Sequence, residues 1–320
     1  MSIATSLKFA QGAVSKKDFV PALSHFQIAG GRVTGYDGKL SLSAPIALDL
    51  ECCPKAIPFV KAVEACTDTA QLAMTASGKL TIRSGKFRAH VECLPLETFP
   101  VVGPEGVPVA IDGQLMPALK ALYDFTAEDA SRPWAAGVLL DGASAFATNN
   151  VILVEAWLGY HFPYRVNLPR FTIREMLRIG EEPVGMQLTA DSVTFHYSED
   201  RWLRSQLNSI EWPDIRGMLD NIPLKPDDVP VVPEGLWEAL DTLAPFVSDM
   251  GQLYIGPDVV RTATEDGASV EVPGMPVCSY NHKMLGMLAG VAQRAAFASW
   301  PNPTAFYGER LRGLIAGMRA

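Results

Sequence analysis

Residues 74–100 and 187–213 repeat one pattern 113 positions apart. Each stretch opens on Thr-Ala and a turn residue, at Thr75-Ala76 and Thr189-Ala190. Alternating apolar positions follow (Leu80 and Ile82; Val193 and Phe195), then a polar turn and a second alternating run. The stretches close on Phe99-Pro100 and Trp212-Pro213. Period-2 runs around a polar turn predict a β-hairpin. A chain that duplicates such a unit folds as copies of one module, so the repeat limits the architecture before any single residue does.

A second hairpin pattern occurs three times, at 25–45, 137–157 and 252–272. Tyr36-Asp37, Thr148-Asn149 and Thr264-Glu265 fall in comparable places, and Gly30-Gly31 and Gly38 suit strand reversal. No helix pattern and no Gly-Lys-Ser/Thr follows these glycines, so they are not read as a phosphate loop. Helical spacing pairs with the hairpins at 3–15 and 54–66, at 112–125 and 169–179, and at 233–246 and 281–296. Leu115, Leu119 and Leu122 make one apolar stripe, and Leu236, Leu240 and Leu243 another. Asp112 and Asn281 are expected N-caps, and Pro54 and Pro169 are expected in first turns. The 320 residues thus divide into three α+β units, 1–106, 107–217 and 218–320, each with two helices on antiparallel sheets.

The formal charge of −8 argues, taken alone, against nucleic acid. Its distribution is uneven: the first unit carries net +2, and the second and third carry −5 each. The second helix of each unit has cations off its apolar stripe: Lys55 and Lys61; Arg170, Arg174 and Arg178; Lys283 and Arg294. Arg170, Arg174 and Arg178, spaced i, i+4, i+8, share one helix face. Lys16-Lys17 follow the first helix, and Arg132 takes a similar place in the second unit. For any single helix a solvated face explains such charges. Their recurrence on equivalent helices points to a polyanion. The first helix of the third unit departs from the pattern, with Glu234, Glu238 and Asp241.

Other classes find little support. The five histidines (His25, His90, His161, His196, His282) show no metal-ligand spacing, and no Gly-x-Ser-x-Gly elbow occurs. An enzyme is therefore not expected, nor a cofactor or metal. Cys52, Cys53, Cys66, Cys93 and Cys278 are odd in number and form no C-x-x-C, which suits thiols in a reducing cytoplasm. No apolar run reaches the ~20 residues of a bilayer span, and the first residues do not read as a signal peptide.

With its three units in order, the sequence resembles a divergent bacterial-type DNA sliding clamp, the beta subunit of DNA polymerase III. The resemblance rests on Lys79-Leu80-Thr81-Ile82-Arg83-Ser84-Gly85, Leu94-Pro95-Leu96-Glu97-Thr98-Phe99-Pro100 and Arg132-Pro133-Trp134-Ala135-Ala136-Gly137-Val138-Leu139. It rests also on Ala147-Thr148-Asn149-Asn150, Trp212-Pro213-Asp214-Ile215-Arg216 and Leu314-Ile315-Ala316-Gly317-Met318-Arg319. It implies a homodimeric ring joined head to tail, a processivity factor that encircles duplex DNA without sequence preference and tethers polymerase and clamp loader. The implied hole-lining cations are Lys55, Lys61, Arg170, Arg174, Arg178 and Lys283. Lys17, Arg132 and Trp134 are placed to reach tilted DNA. The implied partner-peptide pocket comprises Ala135, Thr148, Asn150, Val151, Ile152, Leu153, Pro213, Gly217, Met218, Leu314, Ala316 and Met318. The family's Thr-Asp-Gly-His-Arg-Leu pattern becomes Thr148-Asn149-Asn150-Val151-Ile152-Leu153, and Gly217 stands in place of a pocket arginine, so a more apolar pocket is expected. Phe246 and Val247 align with a subunit interface. The competing reading is a clamp-shaped protein that binds replication proteins without encircling DNA, and the acidic helix of the third unit motivates it.

Overall fold

In the computed structural model, which describes residues 2–17, 19–128, 132–207, 210–222 and 225–319, one element order occurs three times. It is a helix, a three-strand meander, a second helix and a second meander. The first copy comprises α1 (Ile3–Ala10), strands Phe26–Ala29, Arg32–Tyr36 and Leu40–Pro45, α2 (Ala56–Glu64), and strands Gln71–Met74, Lys79–Ser84 and Phe87–Leu94. The second comprises α3 (Leu115–Leu122), strands Gly137–Asp141, Ser144–Thr148 and Ile152–Trp157, α4 (Arg170–Ile179), and strands Gly185–Leu188, Ser192–Tyr197 and Arg201–Gln206. A short α5 (Arg216–Asp220) leads to the third: α6 (Leu236–Leu243), strands Gln252–Gly256, Val259–Arg261 and Ser269–Glu271, α7 (His282–Gly286), and strands Arg294–Ala295, Thr304–Gly308 and Leu311–Ile315.

Local chemistry explains the repetition. Ala29 pairs with Arg32 across Gly30-Gly31, whose φ values are +56° and +70°. A two-residue reversal with both φ positive matches strand twist and favours glycine. After the second strand of each of the first two copies, an Asx side chain turns the chain. Asp37 Oδ1 accepts from the Lys39 and Leu40 amides at 2.9 and 2.8 Å. Asn149 Oδ1 accepts from Val151 and Ile152 at 3.1 and 2.8 Å. The apolar stripes of α3 and α6 are buried, as their spacing predicts.

Several helix limits differ from expectation. The 3–15, 112–125 and 233–246 patterns each end in a short 3-10 turn, at Gln11–Ala13, Tyr123–Phe125 and Ala244–Phe246. Asn281 does cap α7, accepting from the Met284 amide at 3.1 Å. That helix stops at Gly286 instead of reaching 296, because glycines at 286 and 290 weaken it and Gly290 adopts φ +77°. Asp112 lies three residues before α3 and does not cap it. Pro54 and Pro169 end short strands, one and no residue before their helices.

The chain packs as two units, Met1–Met116 with Arg174–Ser209 and Pro117–Ile173 with Ile210–Ala320. Each holds a seven-stranded and a four-stranded sheet. In the first unit, Leu40–Pro45 pairs antiparallel with Arg201–Gln206, setting Leu42 opposite Leu203. In the second unit, Ile152–Trp157 pairs with Leu311–Ile315, setting Leu153 opposite Leu314. Both junctions join the last strand of a first meander to the last strand of a second meander. α1 closes one face of the first unit so tightly that a Cβ on Gly35 would lie 2.4 Å from the Ala10 carbonyl oxygen. Among the described residues no helix is long and apolar enough to cross a membrane.

Candidate partner pocket and nucleic-acid surface

The Leu153–Leu314 pairing forms the floor of a cavity of about 290 Å³ in the second unit. Beneath it lies a core of Leu139, Phe146, Trp212, Ile215 and Leu219. Trp134 packs edge-on against Trp212, ring centroids 5.1 Å apart. α5 supplies one wall, and Arg312 pins it. Its guanidinium donates to Glu155 Oε2 at 2.6 Å and to Asp220 Oδ1 at 2.7 Å, tying two strands to the end of α5. Met218, on α5, stays exposed at the rim. Thr148 donates its hydroxyl to the Ile152 carbonyl at 2.7 Å, which tightens the turn that presents Asn150 and Val151. Asn150 takes φ +74°, a conformation asparagine tolerates better than most residues.

The structure brings most of the expected pocket together. Thr148, Asn150, Val151, Ile152, Leu153, Pro213, Met218, Leu314 and Ala316 line the cavity. Three expected residues do not. Ala135 is fully buried, its amide bonded to the Arg132 carbonyl at 2.9 Å. Gly217 faces Asp214, whose carboxylate accepts its amide at 3.3 Å. Met318 is held by backbone bonds to Ser279 and to the Trp300 indole. Ile215 and Pro303 also line the cavity. Ile215 was visible as an apolar position three residues after Trp212, whereas the loop bearing Pro303 carries no comparable signal. Arg132 and Trp134, assigned by resemblance to DNA, line this same cavity. Arg132 Nη1 donates to Asn150 Oδ1 at 2.8 Å, and Trp134 is half-buried on the core. The lining is apolar apart from Arg132, Asn150 and Thr148.

The expected cations separate into free and engaged groups. Arg170 is engaged. It donates to the Tyr123 and Thr126 carbonyls, to Thr126 Oγ1 at 2.6 Å and to Glu128 at 3.0 Å, and stacks 4.4 Å from the Tyr123 ring. Arg178 is engaged too. It bonds Glu175 at 2.7 Å and the last carbonyls of α1, Lys8 at 3.3 Å and Phe9 at 3.0 Å. The common face expected from i, i+4, i+8 spacing is therefore not three free arginines. The carbonyls at the end of α1 and the buried Glu175 recruit Arg178. Arg174, between them, is exposed and makes no hydrogen bond or ion pair among the described residues. Lys17 and Lys61 are exposed, and the Lys17 ammonium sits 5.9 Å from the Phe19 ring. Lys55 stands at the N-cap position of α2, half-buried. Lys283 joins Arg170 and Lys120 along a second-unit groove of about 960 Å³. Phe246 is 63% exposed and Val247 half-buried. Among the described residues no cluster of His, Cys, Asp and Glu is arranged to hold a metal.

This fold matches solved bacterial clamps over essentially its full length. The C. crescentus beta sliding clamp, with PEG bound at a candidate beta-motif tethering region, superposes with a TM-score of 0.83 at 19% identity, covering 100% of this chain and 97% of that one. The DNA polymerase III subunit beta from Pseudomonas aeruginosa gives 0.81 at 20% identity, with 100% and 98% covered. The Bacillus subtilis DNA polymerase sliding clamp gives 0.79 at 18%, with 99% and 97% covered. No protein-family model matches the chain, and no curated protein does. The chain therefore has an α+β clamp fold. More narrowly, it is the fold of the DNA polymerase III beta sliding clamps, in a divergent sequence.

Proposed function

We propose that the chain is a sliding clamp: two copies close around duplex DNA, and the 290 Å³ pocket tethers polymerase and clamp loader through short linear peptides. The observation that carries this reading is that pocket, built on a clamp fold matched along the whole chain. The repeat bounds 1–106, 107–217 and 218–320 serve as the three clamp domains. No catalytic group is required, because topology supplies attachment. The DNA contacts need only be diffuse phosphate attraction, which weakens with salt. Lys17, Lys61, Arg174 and Lys283 are its exposed cations, and a cytoplasmic setting follows from the role.

Sheet edges support closure. Both intrachain junctions join the last strand of a first meander to the last strand of a second meander. The remaining such combination is Ser269–Glu271 with Phe87–Leu94. Ser269–Glu271 is an edge strand, and Phe87–Leu94 is covered on its outer side only at 93–94, by Cys53–Pro54. Two chains related head to tail would make that junction twice and close. α6 packs by Ser269–Glu271, and the exposed Phe246 follows it. The test is retention on circular and linear DNA after loading, together with solution mass. A dimer that stays on circles and runs off linear ends is expected. A monomer at micromolar concentration that falls off both overturns the ring.

The acidic character of α6 and its approach favours a second reading, a clamp-shaped adaptor that binds replication proteins off DNA. Peptide binding with no retention on circles would select it.

A further inference from the structure

Among the described residues that line the 290 Å³ pocket, Arg132 is the only charged one. The floor is the apolar Leu153–Leu314 pair. A fitting ligand therefore brings apolar side chains for the floor and one group for an exposed cation. The rim that carries this cation is built in advance. The Arg132 carbonyl accepts the Ala135 amide at 2.9 Å, and the Ala135 carbonyl accepts the Ala127 amide at 2.9 Å. Across the rim, Thr148 Oγ1 accepts the Asn150 amide at 3.1 Å. Arg132 Nη1 joins the two sides by donating to Asn150 Oδ1 at 2.8 Å. Little ordering of the rim is left to be done when a ligand arrives.

The polar side chains of this rim are one-sided. Arg132 carries donors only, and its bond to Asn150 leaves several of them unused. The same bond occupies the Asn150 oxygen and leaves the amide NH2 as a further donor. The Thr148 hydroxyl is committed to its own turn, donating to the Ile152 carbonyl at 2.7 Å and accepting from Asn150. The rim thus offers donors and a positive charge, and its side-chain oxygens are already engaged. A carboxylate satisfies that set, because it accepts at both oxygens and carries the complementary charge. A carboxamide has one oxygen to accept with, and its NH2 finds no uncommitted side-chain acceptor. An ammonium meets like charge.

We propose that the pocket selects peptides in which an acidic side chain accompanies the apolar anchors, with Arg132 and the Asn150 amide receiving the carboxylate. This rests on the peptide-tethering reading and names the class of peptide that the pocket takes. The apolar floor supplies most of the affinity, and Arg132 discriminates between partners. An exposed ion pair contributes little in open water, but a bound peptide covers the rim and reduces that screening.

The test selects binders to the immobilised full-length chain from a random peptide library displayed on phage. Each peptide is fused through its C-terminal end, so no free terminal carboxylate is offered. Selected sequences are then synthesised with capped ends, in three versions carrying the acid, its amide or lysine at the same position. Anisotropy reads their affinity for wild type, Arg132→Gln, Arg132→Glu and Met218→Asp, and melting curves check that each variant folds. Peptides pairing apolar residues with an acid are expected. The amide version should bind wild type about fivefold more weakly, and Arg132→Gln should remove that difference. Arg132→Glu should prefer the lysine version. Selected peptides that lack an acid, lose affinity on Met218→Asp and ignore Arg132→Gln overturn the carboxylate assignment and leave peptide tethering standing. If Arg132→Gln instead shortens residence on circular DNA with peptide affinity unchanged, Arg132 serves phosphate and the assignment falls. Peptides indifferent to Met218→Asp remove the pocket reading itself, and this inference with it.

Discussion

Arg132 Nη1 donates to Asn150 Oδ1 at 2.8 Å, across 18 positions of sequence, at the rim of the apolar pocket. Both groups are exposed. The bond orients the guanidinium without burying it, leaving donors for an incoming chain. The rim is therefore polar and adjustable, while the floor of Leu153 and Leu314 is set by strand register. That division of roles is what the proposed peptide-tethering role requires, apolar anchors below and orienting polar contacts at the rim.

Met218→Asp is expected to lower affinity for a cognate polymerase peptide by at least about tenfold, roughly 1.4 kcal/mol. Met218 is 58% exposed, so the fold tolerates the charge. Fluorescence anisotropy with a labelled peptide measures the loss, and a melting curve checks folding. Unchanged affinity places the peptide elsewhere.

Arg174 and Arg178 should separate function from stability. Arg174→Glu is expected to shorten residence on circular DNA, most at low salt, with no change in melting temperature. Arg178→Ala is expected to destabilise the fold by about 1–3 kcal/mol, because it strips a partner from buried Glu175 and from the end of α1. Denaturant unfolding and a DNA-retention assay on both variants give the comparison. Equal destabilisation by the two would refute the division into free and engaged arginines.

Phe246→Asp should weaken self-association at least tenfold while leaving the melting temperature of the dilute chain unchanged. The ring is 63% exposed in the single chain, so the charge costs little there and much in an apolar interface. Sedimentation across a concentration series reads it. An unaltered dimer constant would remove Phe246 from the interface.

Arg201 predicts an acid-sensitive step in the first unit. It donates to Glu181 at 3.0 and 2.6 Å and holds that carboxyl below the usual range. A carboxylate depressed in the folded state stabilises above its unfolded value and loses that contribution as pH falls through the folded one. Stability should therefore decline from about pH 4.5 downward. Glu181→Gln should be less stable than wild type at pH 7 and should show a flatter acid limb in urea titrations. Parallel acid limbs would rule the pair out.

Much of the architecture was legible. The 113-residue repeat, the Gly30-Gly31 reversal and the stripes on α3 and α6 act within a few residues or through periodicity, so they survive in one dimension. The Thr148–Leu153 turn and Pro213–Met218 were marked as pocket walls only by the resemblance to the clamp family, not by periodicity. Less legible were features that depend on who sits across the fold. Arginine spacing on α4 showed a shared face and could not show that Tyr123, Thr126 and Glu128 claim one arginine while Glu175 and α1 claim another.

The sequence by itself determined the module, its order and its number, because strand alternation, helix stripes and turn residues are local and repeat. Tertiary structure alone decided which strand edges join, which cations remain free and which residues open onto the pocket. Those outcomes depend on satisfying buried polar groups across long sequence separations. Leu153 meeting Leu314, and Arg178 meeting Phe9, are pairings that no spacing rule encodes.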